Sequence, residues 1–246
     1  MRPSVHLFIP IYFDVKAFRL LRAEVLQQIP SPWQAIFHVL DDSAGQDPEI
    51  QSLRGLPNLT VVTTPRNLGH QRAIVWGLRE FLRENLTNEL ICTLDADGQD
   101  RPEDLPRLLS AYREGALVRA QRTSREESFL FKICYLFFKH SFHLLTGTVV
   151  NSGNFALYSA ANARALLFHA NFNYTYGSSL VALGKDVVLV PCARGPRLEG
   201  SSKMSFSRLV GHGLKMFVPF LDRVRKRCAF AFACFTILAL VIARIW

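Results

Sequence analysis

Asp95 and Asp97 stand one residue apart in the segment Cys92-Thr-Leu-Asp-Ala-Asp-Gly-Gln-Asp-Arg-Pro-Glu-Asp104, and their types and spacing suit one kind of chemistry. Two adjacent acids favour a hard divalent cation, and Mg²⁺ is typically held by one or two carboxylates together with substrate phosphates. Gln99 can add a neutral oxygen. More acids come earlier in the chain, at Asp14 and at the neighbours Asp41 and Asp42. Convergent carboxylates repel unless a cation or a donor-rich ligand sits among them. A nucleotide base offers N–H donors, and a metal–diphosphate offers the cation. Asp42 would suit the base, and Asp95 and Asp97 the ribose and metal. In the second half, Arg122, Arg194, Arg197 and Lys203 could neutralise a diphosphate leaving group, an electrostatic role that often dominates phosphate chemistry. Taken singly, Asp-x-Asp also caps helices, and an isolated Arg is usually a solvated surface charge. The signal is that the acids and bases occur together.

For these side chains to meet, the elements carrying them must share an edge. Residues 89–94 form a short apolar run with β-branched residues, read as a buried strand ending at Asp95. Residues 104–112 read as a helix with Pro102 at its entry. Strands are also expected over 4–9, 34–40, 59–64 and 116–120, with helices over 14–28 and from Gly69 through Phe81. Strands alternating with helices predict a parallel, doubly wound α/β sheet. In such a sheet the ligand crevice lies outside the carboxyl ends of the strands, where Asp14, Asp41, Asp42, Asp95 and Asp97 all fall. The second half is less regular. It reads as a long apolar and basic helix over 129–145, a turn over 151–155 leading to a helix over 160–168, a strand over 186–190, a Gly/Ser/Arg loop over 194–203 and an amphipathic helix over 205–227.

At 246 residues the chain is ordinary for an α/β domain with an appendage. Its 29 Lys and Arg against 20 Asp and Glu fit phosphate substrates, nucleic acid or an anionic membrane surface. Nucleic acid is disfavoured, because no aromatic–basic reading motif is present and the convergent acids oppose a polyanion. Five cysteines without metal-ligand spacing suggest reduced thiols in a cytosolic compartment. The chain begins directly on a predicted strand, with no visible signal peptide. Residues 228–242 carry no charge, and 228–246 are just long enough to cross a hydrocarbon core of about 30 Å. Arg223-Val-Arg-Lys-Arg227 precedes them, which by the positive-inside rule places the catalytic body on the cytoplasmic face. The alternative is a buried terminal helix. The expected division is thus a catalytic domain over 1–204, a juxtamembrane helix over 205–227 and a membrane anchor over 228–246.

The motifs resemble, in order, those of the family 2 inverting glycosyltransferases with the GT-A fold, nearest to dolichyl- or undecaprenyl-phosphate sugar transferases. Pro10-Ile-Tyr12-Phe-Asp14 stands where that family has Pro-x-Tyr-Asn-Glu, and Asp41-Asp42-Ser43 where it has Asp-Asp-Gly-Ser. Asn67-Leu-Gly69…Ala73…Gly77 is similar to Asn-x-Gly…Ala…Gly. Asp95-Ala-Asp97-Gly-Gln99-Asp-Arg-Pro102-Glu103 is similar to Asp-Ala-Asp-Leu-Gln-Asp-Pro-Pro-Glu. Arg122 and Arg197-Leu-Glu-Gly-Ser-Ser-Lys203 match the Arg after the fifth strand and Arg-x-x-Gly-x-Ser-Lys.

The resemblance implies a mostly parallel, Rossmann-like sheet with C-terminal amphipathic and membrane helices. It implies that Pro10, Tyr12, Asp14, Asp41 and Asp42 hold the nucleoside of a nucleotide-diphosphate sugar. Asp95 would contact the nucleotide, Asp97 and Gln99 would hold Mg²⁺ or Mn²⁺, and Arg122, Arg197 and Lys203 the diphosphate. Asp95, Asp97 and Arg122 would carry the catalysis. The chain departs from the pattern at Phe13, Asp14 and Gly98, which stand for Asn, Glu and Leu. It also departs at Asn154 and Ala156, where many relatives carry Asp and Arg. Without a carboxylate base at 154, a polyprenyl phosphate acceptor, already ionised near neutral pH, is favoured over a sugar hydroxyl. A saccharide acceptor and a non-catalytic nucleotide-sugar-binding membrane subunit stay open as alternatives, as do a homo-oligomer and a membrane partner subunit.

Overall fold

The computed structural model describes residues 3–83, 89–123, 129–149, 152–169, 172–183, 186–198 and 206–245. The first half alternates β1 (Ser4–Ile11), α1 (Val15–Gln28), β2 (Gln34–Asp41), β3 (Leu59–Thr63), α2 (His70–Phe81), β4 (Leu90–Thr93), α3 (Leu105–Ala111) and β5 (Leu117–Arg122). The second half contains α4 (Phe129–Thr146), β6 (Ser152–Ser159), α5 (Ala160–Leu167), α6 (Tyr176–Ala182), β7 (Val187–Cys192), α7 (Phe206–Lys215) and α8 (Leu221–Ile245).

The strands form one sheet in the order β3-β2-β1-β4-β6-β5-β7. β1 is buried almost throughout because helices cover both of its faces. Val5, Leu7 and Ile9 pack on one side with Phe18 and Leu21 of α1 and Leu105 and Leu108 of α3. Phe8 points the other way, toward Ala73, Ile74 and Leu78 of α2 and Leu180 of α6. β1 runs parallel to both β2 and β4. Since β2 and β3 extend the sheet on one side and β4 opens the other, the topology switches direction between β1 and β4, the place where open α/β sheets bind ligands.

Two elements depart from the expectations of the sequence. Residues 152–159 form a strand where a turn into a helix is predicted, and β6 lies antiparallel between β4 and β5. The Asn, Ser and Gly residues at its start carry turn propensity, but the buried run Phe155–Tyr158 fits the slot between two strands, and that context prevails. The predicted helix over 205–227 is divided as well. α7 ends at Lys215, a 3-10 turn covers Val218–Phe220, and α8 starts at Leu221. Pro219 sits inside that turn and has no N–H to continue an α-helix.

The chain clusters into two compact units, 1–125 with 151–204 and 126–150 with 205–246. The second is therefore not purely C-terminal, because α4 belongs to it. Its interior is aromatic. Phe142 and Phe220 are buried, and Phe217 packs on Phe142 with ring centroids 4.8 Å apart. Arg227 donates to the Leu144 carbonyl at 2.7 Å, tying α8 to α4. Beyond Phe230, large apolar side chains of α8 are exposed. An 18-residue stretch within Val210–Arg244 has a mean hydropathy of 1.9 and is unburied, long and apolar enough to cross a membrane.

Candidate active site

The acids cluster at the carboxyl ends of β1, β2 and β4. β4 stops pairing with β1 at Phe8↔Thr93, while β1 continues along β2 to Ile11↔Asp41. The sheet thus opens between the ends of β1 and β4. Pro10 is buried at this edge, and beyond it Tyr12 and Phe13 are exposed with their rings edge to face at 4.9 Å. Phe13 has φ 53, a left-handed conformation unusual for a bulky residue. The turn carries the chain into α1 at Asp14, whose carbonyl accepts from Phe18 N–H.

Asp41 and Asp42 do different jobs. Asp41 is fully buried, and its carboxylate accepts from the backbone N–H of Ser43 and Gly45 and from the Ser43 hydroxyl. It therefore braces its own loop and has no surface for a ligand. Asp42 accepts from the N–H groups of Leu68 and Gly69 at 2.6 and 2.8 Å, fastening β2 to the loop before α2. Burial raises its pKa, and those two backbone bonds oppose the rise. Asp42 Oδ1 also accepts from the Thr64 hydroxyl at 3.4 Å; a carboxylate has about four lone-pair sites, so Oδ2 is the oxygen with capacity for a nucleoside N–H.

Asp95 and Asp97 sit just past β4. Asp95 accepts from the Asn154 amide at 3.0 Å. That amide is oriented in turn, since Gln71 of α2 donates to Asn154 Oδ1 and accepts from Gly177 N–H. Burial and the charge of Asp97 raise the Asp95 pKa, against Asn154, Arg122 and Arg194. His70 stands near the same acids. Burial lowers its pKa, while Asp42 and Asp97 work to raise it.

Arg122, at the end of β5, is ion-paired with Asp100 at 3.2 Å, and Asp100 also accepts from Asp95 N–H. Burial and the charge of Asp95 push Asp100 up to about 6. A Cβ on Gly153 would come within 2.6 Å of the Arg122 guanidinium, so the bare backbone there makes room for it. Arg197 reaches Asp97 Oδ2 at 3.0 Å, and Arg194 donates to Gln99 Oε1. The fold thus brings Asp42, Asp95, Asp97, Gln99, Arg122 and Arg197 to one edge, with Tyr12 and Asp14 beside it. Lys203 lies outside the described residues. Asp100, Gln71 and His70 are the site residues that sequence reasoning missed. A signal was available only for Asp100, an acid within the Asp95–Glu103 motif.

Among the described residues, no group of three or more His, Cys, Asp or Glu side chains encloses a metal. Asp97 Oδ2 and Gln99 Oε1 are hard oxygens, and each already faces a guanidinium nitrogen. Such a pair fits Mg²⁺ or Mn²⁺ only as part of a shell completed by phosphate oxygens and water.

A mixed α/β sheet in the order given, with acids gathered at its switch point, defines a domain of the GT-A kind. The chain belongs to glycosyl transferase family 2, which residues 7–167 match. It is 30% identical over 176 residues to an undecaprenyl-phosphate 4-deoxy-4-formamido-L-arabinose transferase of Klebsiella pneumoniae. That match covers 69% of this chain and 51% of the relative, so the chain spans about half the length of the curated relatives it matches. Among solved structures it is similar to glucosyl-3-phosphoglycerate synthase from Mycobacterium tuberculosis in complex with Mn²⁺, UDP and phosphoglyceric acid. There the TM-score is 0.61 at 14% identity, over 90% of this chain and 78% of that one. Mannosyl-3-phosphoglycerate synthase from Rubrobacter xylanophilus gives a TM-score of 0.60 at 14% identity, over 92% of this chain and 75% of that one. At such identity these two establish the fold.

Proposed function

We propose that this chain transfers a sugar, with inversion, from a nucleotide-diphosphate sugar to a polyprenyl phosphate at a membrane surface. The observation that carries the reading is the facing of Asp95 and Asp97 by Arg122 and Arg197 at the switch point. Tyr12, Asp14 and Asp42 would line the nucleoside, with Pro10 and Asp41 shaping the loops behind them. Asp95 would hold the nucleotide, and Asp97 with Gln99 the cation. When bound, Mg²⁺ or Mn²⁺ supplies positive charge to the diphosphate as the glycosidic oxygen leaves. Arg122, Arg197 and Lys203 would hold the same diphosphate and absorb its developing charge.

In the reaction an acceptor phosphate oxygen forms the new bond to the anomeric carbon, the bond to the nucleoside diphosphate breaks, and the configuration inverts. Asn154 supports a phosphate acceptor. It offers an amide donor to Asp95 and contributes no base, and a phosphate monoester with a second pKa near ~6 needs none. The exposed apolar length of α8 suits membrane attachment. Arg223, Arg225, Lys226 and Arg227 at its start favour the cytoplasmic face for the catalytic unit. The name of the Klebsiella relative supports an undecaprenyl phosphate acceptor.

The test is a donor screen with the purified full chain in detergent, Mn²⁺ or Mg²⁺, labelled nucleotide sugars and a short polyprenyl phosphate. Metal-dependent formation of a polyprenyl-phosphate sugar, absent in Asp97→Ala, is expected. Transfer to a saccharide hydroxyl with none to the lipid phosphate would overturn the acceptor. Neither transfer nor hydrolysis with any donor would overturn the enzymatic reading.

A further inference from the structure

The loop over 194–198 lies against the acid loop over 97–99 through backbone as well as side chains. Leu198 N–H donates to the Asp97 carbonyl at 2.9 Å, and Gly195 N–H to the Gln99 carbonyl at 3.0 Å. Between these two bonds the loops interlock. Gly98 has φ +76, and a Cβ built on it would lie 2.3 Å from Leu198 Cγ. A Cβ on Gly195 would lie 2.9 Å from the Gly98 carbonyl oxygen. Leu198 therefore fits only because position 98 is glycine. Leu198 also packs on the main core, so the seat has a fixed floor.

The seat aims its neighbours. With Leu198 held on both sides, Arg197 is delivered to Asp97 Oδ2 and Arg194 to Gln99 Oε1, the two oxygens assigned to the cation. The Arg197 side chain is 32% exposed and that of Asp97 20%, so water reaches the pair from the Arg197 side and a second cation can compete for the carboxylate.

We infer that Leu198, seated over Gly98, is a positioning residue that holds Arg197 on Asp97 as an internal counter-cation, so that an incoming divalent cation must displace Arg197. Displaced from Asp97 but still tethered at Leu198, the guanidinium is left beside the diphosphate that accompanies the cation. Cation entry and delivery of Arg197 to the phosphates become one event. The inference rests on the proposed meeting of Asp97 with the cation, but its test does not require turnover.

The test compares the full wild-type chain in detergent with Leu198→Ala and Arg197→Gln. Free Mn²⁺ is measured by electron paramagnetic resonance, and trypsin cleavage after Arg194 and Arg197 is timed by mass spectrometry. Both variants should bind Mn²⁺ about two- to fivefold more tightly than wild type, the scale of an exposed ion pair removed from the site. In Leu198→Ala, cleavage after Arg197 should be about tenfold faster without metal, because the loop opens locally. In wild type, Mn²⁺ alone should leave that cut slow, because Leu198 still holds the loop after Arg197 is displaced. A merely structural Leu198 would lower the melting temperature and leave Mn²⁺ affinity where it was. Unchanged or weaker Mn²⁺ binding in both variants, or cleavage indifferent to Leu198→Ala, overturns the inference. Should the Mn²⁺ and cleavage results hold while no donor is turned over, the transferase reading fails and the interlock stands.

Discussion

Two buried clusters of titratable groups on the central sheet solve the same problem in opposite ways. Toward the amino end of β1, His6 is buried beside His38 of β2, sharing a hydrogen bond of 2.9 Å, and Glu89 stands 3.5 Å from His6 Nε2. His38 stacks on Phe8 at 4.6 Å and His6 packs on Phe81 at 4.7 Å. Burial holds His6 down to about 4 and His38 to about 3, so the pair is neutral at physiological pH. At the carboxyl end, Asp95, Asp97 and Asp100 share a small space, and Arg122 and Arg197 come to meet them. One cluster keeps its two imidazoles uncharged, and the other keeps several carboxylates charged and surrounds them with opposite charge. Removing charge favours stability, because a buried ion is costly to desolvate. Keeping it there is what a site for a charged ligand requires. Titratable groups are buried at both ends, so the difference in how they are neutralised is what separates site from scaffold.

The largest effect should come from the carboxyl end. Asp97→Asn keeps size and shape but loses the charge proposed to meet the cation. Transfer should fall about a thousandfold, with a melting temperature close to wild type. A large melting shift with little loss of turnover would place Asp97 with the scaffold and erase the contrast. Asn154→Asp is the sharper version. It sets a carboxylate oxygen about 3 Å from Asp95 Oδ1 in place of a donor. Transfer to lipid phosphate should drop roughly ten- to a hundredfold and recover partly at lower pH, where one of the two acids is protonated. Asp100→Asn should do less. Arg122 stays but loses its ionic anchor, so KM for the donor should rise and kcat fall, each by about three- to tenfold, because the same guanidinium is assigned to bound donor and leaving diphosphate.

Much of this contrast was legible in the sequence at one end only. The acids at 42, 95 and 97 announce themselves by type and by their place after apolar runs, and the alternating pattern fixes the parallel half of the sheet. β6 was hidden, because Ser152, Gly153 and Asn154 read as a turn while serving as the start of a strand that holds Asn154 beside Asp95. The division of work between Asp41 and Asp42 was hidden too. Two adjacent acids look equivalent until the backbone turns one inward to Ser43 and Gly45. The partnership of Arg194 and Arg197 with the acid loop depends on contacts nearly a hundred residues apart. At the amino end, His6 and His38 gave no signal, since two lone histidines in apolar strands become a pair only through the register Leu7↔Phe37.

The smallest effect tests the other half of the comparison, and its sign follows from the depressed histidine pKa values. The unfolded chain takes up protons as pH falls through 6.5, the ordinary value, while the folded pair stays neutral down to about 4 and 3. The stability held by the neutral pair is therefore complete above about pH 6.5 and is lost as pH falls toward 4. Asp100 acts in the opposite sense. Its folded value of about 6 lies above the ordinary 3.8, so between those values acidification favours the folded state and partly masks the histidines. The double variant His6→Phe/His38→Phe removes the pair and leaves Asp100 in place. Replacing both partners of a buried hydrogen bond by apolar groups of similar shape is nearly neutral, but Ser4 Oγ and Glu89, 3.2 and 3.5 Å from His6 Nε2, each lose a partner, so near pH 7 the variant should melt no more than about 3 °C below wild type. At pH 5 the variant should melt about 5 °C higher than wild type, with donor KM and kcat at pH 7 unaltered. Parallel melting curves across that range would mean the histidines are not neutral by burial, and a change in donor kinetics would tie them to the site at the far end of their own strands.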